Sequence, residues 1–409
     1  MITTIKMKAL GAAFSTLLLA ATNVHAETIK VGVLSPNTGP YAAIGEDVRN
    51  GFEMFFQSVG DKAGGKDVKL IFEDSQAKPD VGLTKAKKLV ESDKVAFVGG
   101  IVSSSVAYAV RDYLVEKKVP LLVSVSSADG LTQELRAPNI FRTNSSGSQT
   151  SHPMGKWLAD QGYKRVIMVA PGYSMGFEQT GGIARTFTES GGKVVQTLYP
   201  PLGTSDYAPF LSKLNVKQAD AVIAVFAGSE AIQFVRQFEE YGLKDAIPLV
   251  GTSLLTDDMI LEKEGDAALG IITSSHYSSQ VDTPENKAFV AAYKEKYKRL
   301  PTLYAEASYN AAKVIHDALE KLGGDVGNQE ALLKAIAGVS FKAPRGDFKF
   351  DAYNSPIHDI YILKVERTGD GLVNKPFHRY PAVSQFFTWT PEEFMKLPPY
   401  RDIANDWVK

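Results

Sequence analysis

Short apolar segments alternate with amphipathic helical segments along most of this chain, and this alternation most constrains its fold. The stretch 95–105 is typical, because an apolar strand passes through Gly99 and Gly100 into Ser103, Ser104 and Ser105 at the start of a helix. Buried parallel strands are rich in apolar residues, and connecting helices cover both faces of their sheet. The alternation therefore predicts parallel sheets of the α/β class.

The alternation occurs in two successive series. Residues 28–125 show the order β-α-β-α-β-α-β, and residues 147–251 show a second series of the same kind. A chain of 409 residues is too long for one hydrophobic core. We therefore predict two doubly wound parallel-sheet lobes that are joined by a hinge of several crossover strands, with a ligand cleft between them.

The chain is expected to cross between the lobes three times, near residues 144–145, 276–277 and 351–355. These crossings assign residues 27–144 and 277–353 to lobe 1, and residues 145–276 and 354–409 to lobe 2. Residues 367–409 show no clear periodicity and are interpreted as an ordered C-terminal segment that wraps the protein.

The first 26 residues have the pattern of a secretory signal peptide. Lys6 and Lys8 precede an apolar segment, and the small residues before Glu27 predict cleavage after Ala26. The apolar segment is too short to span a membrane. We therefore expect an exported, soluble protein.

Composition excludes several classes of function. The sequence has no cysteine, which removes disulfides and thiolate metal sites, and its charges are well mixed, so that no basic face for nucleic acid stands out. Residues 60–67 approach a phosphate-binding loop, but they follow a helix and have Asp67 where Ser or Thr is required. No catalytic motif is found, and we expect no metal, no cofactor and no enzymatic activity.

Hydroxyl groups gather at the predicted carboxyl ends of the first-lobe strands, where ligands bind in open α/β sheets. Ser103 and Ser104 follow one strand, and Ser126 and Ser127 follow the next. The free N–H groups of a helix start, together with hydroxyl donors, suit an anion. Ser103 could equally be a simple helix cap. His276 is the one histidine expected near the cleft, and a purely structural role is favoured for it.

From residue 29 to about residue 365 the chain resembles the leucine/isoleucine/valine-binding branch of the periplasmic solute-binding proteins. The resemblance is carried by the segments 29–34, 38–41, 72–75, 98–105, 119–122 and 141–143. It implies a binding protein that delivers a small carboxylate or amide to an ABC-type permease in the inner membrane. A monomer is expected.

The resemblance also implies a ligand site. Its carboxylate end falls on Ser103, Ser104, Ser126 and Ser127, and its second-lobe contacts fall near Met175, Phe226, Ala227 and Ser253. Amino-acid binders of the family hold the ligand ammonium with an acidic residue, and Ser253 stands at the matching position. A buried ammonium without a carboxylate is costly, which disfavours an α-amino acid.

Aromatic residues are expected at the rim of this site, namely Tyr41, Tyr173, Phe226 and Tyr277. With Met175 they would give the pocket planar, apolar walls. An aromatic acid such as a benzoate or phenylpropenoate is therefore the first choice of ligand. A branched-chain amino acid or amide, and a sensor module for a membrane receptor, remain alternatives.

Overall fold

The computed structural model describes residue 1, residues 28–369 and residues 371–408. The predicted signal peptide and its cleavage site lie outside these residues, apart from Met1. Within the described part of the chain, no helix is long and apolar enough to cross a membrane. The fold consists of two α/β lobes, as the alternation of the sequence predicts.

The first lobe is built on a six-stranded sheet with the order β2-β3-β1-β4-β5-β6. Its strands are β1 (Ile29–Ser35), β2 (Lys62–Ala63), β3 (Lys66–Asp74), β4 (Phe97–Gly100), β5 (Leu121–Val123) and β6 (Ile140–Arg142). All neighbouring pairs are parallel except the short β2–β3 hairpin.

The helices of this lobe are α1 (Ala42–Ser58), α2 (Pro79–Lys87) and α3 (Ser104–Glu116). Three later helices are α9 (Pro284–Tyr297), α10 (Leu303–Lys321) and α11 (Gln329–Ala337), and α10 packs along α1. The buried stripe of α1 includes Val48, Phe52 and Phe55, as its helical spacing predicts. A two-stranded hairpin, β12 (Ser340–Ala343) and β13 (Gly346–Lys349), follows α11.

The second lobe is built on a seven-stranded sheet with the order β15-β14-β11-β10-β9-β7-β8. Its strands are β7 (Arg165–Val169), β8 (Lys193–Leu198), β9 (Ala221–Ala224), β10 (Leu249–Thr252), β11 (Ile272–Ser275), β14 (His358–Thr368) and β15 (Gly371–Val383). The long helices α4 (Gly147–Asp160), α5 (Ser174–Glu189) and α7 (Ser229–Glu240) pack around it, with the short helices α6 (Ala208–Leu211) and α8 (Leu261–Glu264).

The second sheet is mixed, whereas the sequence predicted a parallel one. Strand β14 runs antiparallel to β11, and β15 runs antiparallel to β14. The alternation of the sequence could not reveal β15, because exposed residues on this edge strand interrupt its apolar pattern. The segment after β15 ends in the short helix α12 (Pro391–Phe394) and packs Phe394, Tyr400 and Trp407 into the second-lobe core.

The chain passes between the two sheets at three places. One connection leads from β6 to α4, a second from β11 to α9, and a third from β13 to β14. These connections contain the three segments in which the sequence predicted crossings, and the carboxyl ends of β4 and β5 face the start of the second lobe there.

Candidate ligand-binding site between the lobes

A pocket lies between the lobes at the carboxyl end of the first sheet. Ten residues line it: Tyr41, Ile44, Val102, Val125, Ser127, Tyr173, Met175, Ala227, Leu254 and Tyr304. The enclosed space open to water-sized molecules is about 40 Å³. This is well below the roughly 300–1,000 Å³ of typical small-molecule pockets, so the lobes must move apart to admit a ligand with a ring.

The walls of the pocket are mainly apolar and aromatic. Met175 and Ala227 belong to the second lobe, and Tyr41 and Tyr304 belong to the first. The hydroxyl groups of Tyr41 and Tyr173 are 2.9 Å apart, which joins the lobes across the mouth of the pocket. Tyr41 is buried and Tyr173 is partly buried, and burial raises the pKa of both phenols.

Of the four predicted serines, Ser127 lines this pocket, and Ser103, Ser104 and Ser126 lie next to it without lining it. The Ser104 and Ser127 hydroxyls are 3.4 Å apart, and the Ser126 hydroxyl is 3.4 Å from that of Ser104. Ser103 is the N-cap of α3, but its side chain makes no capping hydrogen bond, and its buried hydroxyl has no partner among the described residues. A buried hydroxyl without a partner costs free energy. A ligand oxygen would remove that cost.

The start of α3 adds an electrostatic preference at the same end. Its first N–H groups lack partners within the helix, and the helix dipole places partial positive charge there. Ile101, just before the cap, has a positive φ of 60°, which turns the chain sharply between β4 and the helix. This turn brings the Ser103–Ser104 segment beside Ser126 and Ser127, and the arrangement favours an anion.

The structure does not bring every predicted residue to the pocket. Phe226 packs between Tyr207 and Phe234 in the second-lobe core, with ring centroids 5.1 and 4.6 Å away. Ser253 is buried and its backbone N–H donates to the Ser274 carbonyl. Tyr277 is buried beside Phe289. None of these three is among the residues that line the pocket, and Ser103, Ser104 and Ser126 do not line it either.

Tyr304 and Leu254 line the pocket and were missed from the sequence. Tyr304 lies in the first turn of α10, and its buried hydroxyl has no partner among the described residues. The helical spacing of the sequence placed Tyr304 correctly on the buried face of a helix. That spacing cannot show, however, that the start of α10 lies beside a cleft. The only available signal was Thr302, which caps α10 and places Tyr304 at its start.

A second polar cluster lies where the chain crosses between lobes. Arg345 forms a buried ion pair with Glu306 of α10, and its guanidinium also contacts His358 at 3.3 Å. The other ring nitrogen of His358 is 2.7 Å from the Ser145 hydroxyl, and the ring of His276 stacks on it. Burial, with the nearby Arg345 charge, lowers the pKa of both histidines. His276 thus belongs to the crossover and is absent from the pocket lining.

The described residues contain no group of three or more His, Cys, Asp or Glu side chains that could hold a metal ion.

Comparison with known proteins identifies the family. The model of the periplasmic binding protein family matches residues 28–370, so the chain belongs to that family. A Leu/Ile/Val-binding protein homolog 6 from Brucella melitensis is 30% identical over 86% of this chain and 91% of the relative. The resemblance read from the sequence is thereby confirmed.

Solved structures give the same fold. An ABC transporter substrate-binding protein from Sphaerobacter thermophilus is 35% identical, with a TM-score of 0.82 over 88% of this chain and 99% of that one. A solute-binding protein from Rhodopseudomonas palustris BisB5 in complex with 3,4-dihydroxybenzoic acid is 32% identical, with a TM-score of 0.84 over 88% and 98%. A benzoate complex from R. palustris is 31% identical, with a TM-score of 0.81 over 87% and 99%. The chain is a solute-binding protein of the ABC transporter class.

Proposed function

We propose that this protein captures a small aromatic carboxylate in the periplasm and delivers it to an ABC permease in the inner membrane. The observation that carries the proposal is the pocket itself, which has Ser127 at one end, next to the unpaired hydroxyl of Ser103, and tyrosine side chains in its walls. The bound benzoates of two similar solved structures support the same ligand class.

The pocket suits a carboxylate at its serine end. Ser103 and Ser127 would donate hydroxyl hydrogens, and the first N–H groups of α3 would add further donors. Charge-assisted hydrogen bonds of this kind are stronger than neutral ones. Ser104 and Ser126 would hold Ser127 in place through their mutual contacts.

The ring of the ligand would lie among Tyr41, Tyr173, Met175 and Tyr304. Offset or edge-on contacts between rings add to the free energy of burial, and a methionine sulfur packs favourably against an aromatic ring. Phe226, Ser253 and Tyr277 would act indirectly, because they shape the second lobe and the crossover without lining the pocket.

Ligand binding would be coupled to closure of the lobes. Tyr41 lies in lobe 1 and Tyr173 in lobe 2, so the hydrogen bond between their hydroxyls exists only when the lobes are closed. We propose the lobe limits 27–144 with 277–353, and 145–276 with 354–409, and cleavage of the signal peptide after Ala26. A monomer is proposed as the working state.

A branched-chain amino acid is the second candidate, because several relatives carry Leu/Ile/Val-binding names. A thermal-shift screen distinguishes an aromatic-acid ligand from a branched-chain amino acid. At 100 times its dissociation constant, a ligand stabilises the native state by about 2.7 kcal/mol. We expect benzoate and hydroxybenzoates to raise the Tm of the mature protein and leucine to leave it unchanged; the reverse result would overturn the proposal.

Replacing Ser127 by Ala is expected to weaken carboxylate binding at least tenfold, since one hydrogen bond to a charged group contributes about 1.5–3 kcal/mol. Isothermal titration with benzoate measures the change. Ser212→Ala, at the end of α6 and far from the pocket, is the matched control and should bind normally. Unaltered affinity in Ser127→Ala would contradict the role given to this serine.

A further inference from the structure

A buried carboxylate lies behind the tyrosine end of the pocket, and the proposed carboxylate ligand does not require it. Glu230 is in the first turn of α7 and is 2% exposed. Its Oε1 accepts a hydrogen bond from the Gly203 N–H at 2.6 Å, whereas its buried Oε2 has no partner among the described residues. Burial raises the pKa of Glu230 to about 7.

The start of α7, which carries Glu230, lies against the tyrosines of the pocket: a Cβ atom at Gly228, the N-cap of α7, would be 3.5 Å from the Tyr41 ring. Burial, followed by the nearby Glu230 charge among other causes, raises the pKa of both Tyr41 and Tyr173. Burial and the Glu230 charge also raise the pKa of Tyr207, which packs on Phe226. A series of polar side chains therefore leads from the pocket wall, through the two tyrosine phenols, towards the Glu230 carboxyl group, which can hold a proton near neutral pH.

Resting on the proposed function, we propose that Glu230 and the Tyr41–Tyr173 pair form a subsite for a hydroxyl group on the ring of the ligand, at the end opposite the carboxylate. A phenolic hydroxyl both donates and accepts a hydrogen bond. It would insert between the two tyrosine hydroxyls or donate to one of them, and the hydrogen-bonded series would end on the unpaired Oε2 of Glu230.

The subsite explains why a glutamate is kept in a buried position. A carboxylate without a hydrogen-bonding partner is costly to bury, and a ligand hydroxyl that completes the series would lower this cost. A ligand without the hydroxyl would leave the series incomplete. The preference for a ligand with a ring hydroxyl over one without it should therefore depend on Glu230, although Glu230 does not line the pocket.

The test compares benzoate with 4-hydroxybenzoate by isothermal titration on the full mature protein and on Glu230→Gln. We expect 4-hydroxybenzoate to bind the unmodified protein at least tenfold more tightly than benzoate, and the Glu230→Gln variant to lose most of this ratio while keeping its benzoate affinity. An unchanged ratio in the variant would overturn the subsite.

The same titrations separate this proposal from the proposed function. If neither acid binds the unmodified protein, the proposed function fails. If benzoate binds and the ratio is near one, only the subsite fails. Glu264→Gln, which changes another buried glutamate with no partner for its carboxylate oxygens among the described residues, is the matched control and should leave the ratio unchanged. Circular dichroism melting confirms that each variant is folded.

Discussion

Replacing Ser103 and Ser127 together by Ala is expected to lower the affinity for benzoate by at least a hundredfold. Two hydrogen bonds to a charged ligand contribute about 1.5–3 kcal/mol each, and every 1.4 kcal/mol is a factor of ten in the dissociation constant. Isothermal titration measures the loss. The Tm of the unliganded variant should stay close to that of the unmodified protein, since the Ser103 hydroxyl has no partner among the described residues.

The opposite pattern would change the interpretation of Ser103. If the double variant lost several degrees of unliganded Tm but kept its ligand, these serines would serve the helix start and the strand ends alone. Ser103 was open to that interpretation from the sequence, and the missing capping hydrogen bond now argues against it.

Replacing Arg345 by Met is expected to destabilise the protein strongly, by about 3–5 kcal/mol. The change leaves Glu306 as a buried charge without its partner, and breaking a buried ion pair in this way is much more costly than removing both charges. Chemical denaturation of the unliganded protein measures the loss. The double variant Arg345→Met, Glu306→Gln should recover a large part of it.

The same substitution tests the crossover. Arg345 contacts His358, which contacts Ser145, so the ion pair joins β13, β14 and the start of α4. If Arg345→Met left stability unchanged, the buried charges at the crossover would not hold the lobes as the structure indicates.

The sequence predicted the order of strands and helices well because buried strands and amphipathic helices leave periodic patterns. It could not predict β15, whose exposed face carries charged residues. A helix carrying Tyr207, Phe210, Leu211 and Leu214 was predicted, and the structure forms only the short α6 there, since the chain turns after Leu211. Helix α11 was also missed between two stronger patterns.

The candidate site was predictable in part for the same reason. Ser127, Tyr41, Tyr173, Met175 and Ala227 follow strand ends or open helices, and the structure brings them together in one pocket. Phe226 and Ser253 also follow strand ends but do not line the pocket, and the Phe226 side chain packs into the second-lobe core. One residue of register decides which face of a strand a side chain occupies. Glu230 and Tyr304 depend on tertiary contacts that no pattern reveals.

The most direct test of the account is a crystal structure of the mature protein with 4-hydroxybenzoate. The account predicts the carboxylate within hydrogen-bond distance of Ser103 and Ser127, and the ring between Tyr41 and Tyr304 with its hydroxyl at the Tyr41–Tyr173 pair. A ligand bound outside the pocket, or one with its carboxylate turned towards the tyrosines, would contradict it.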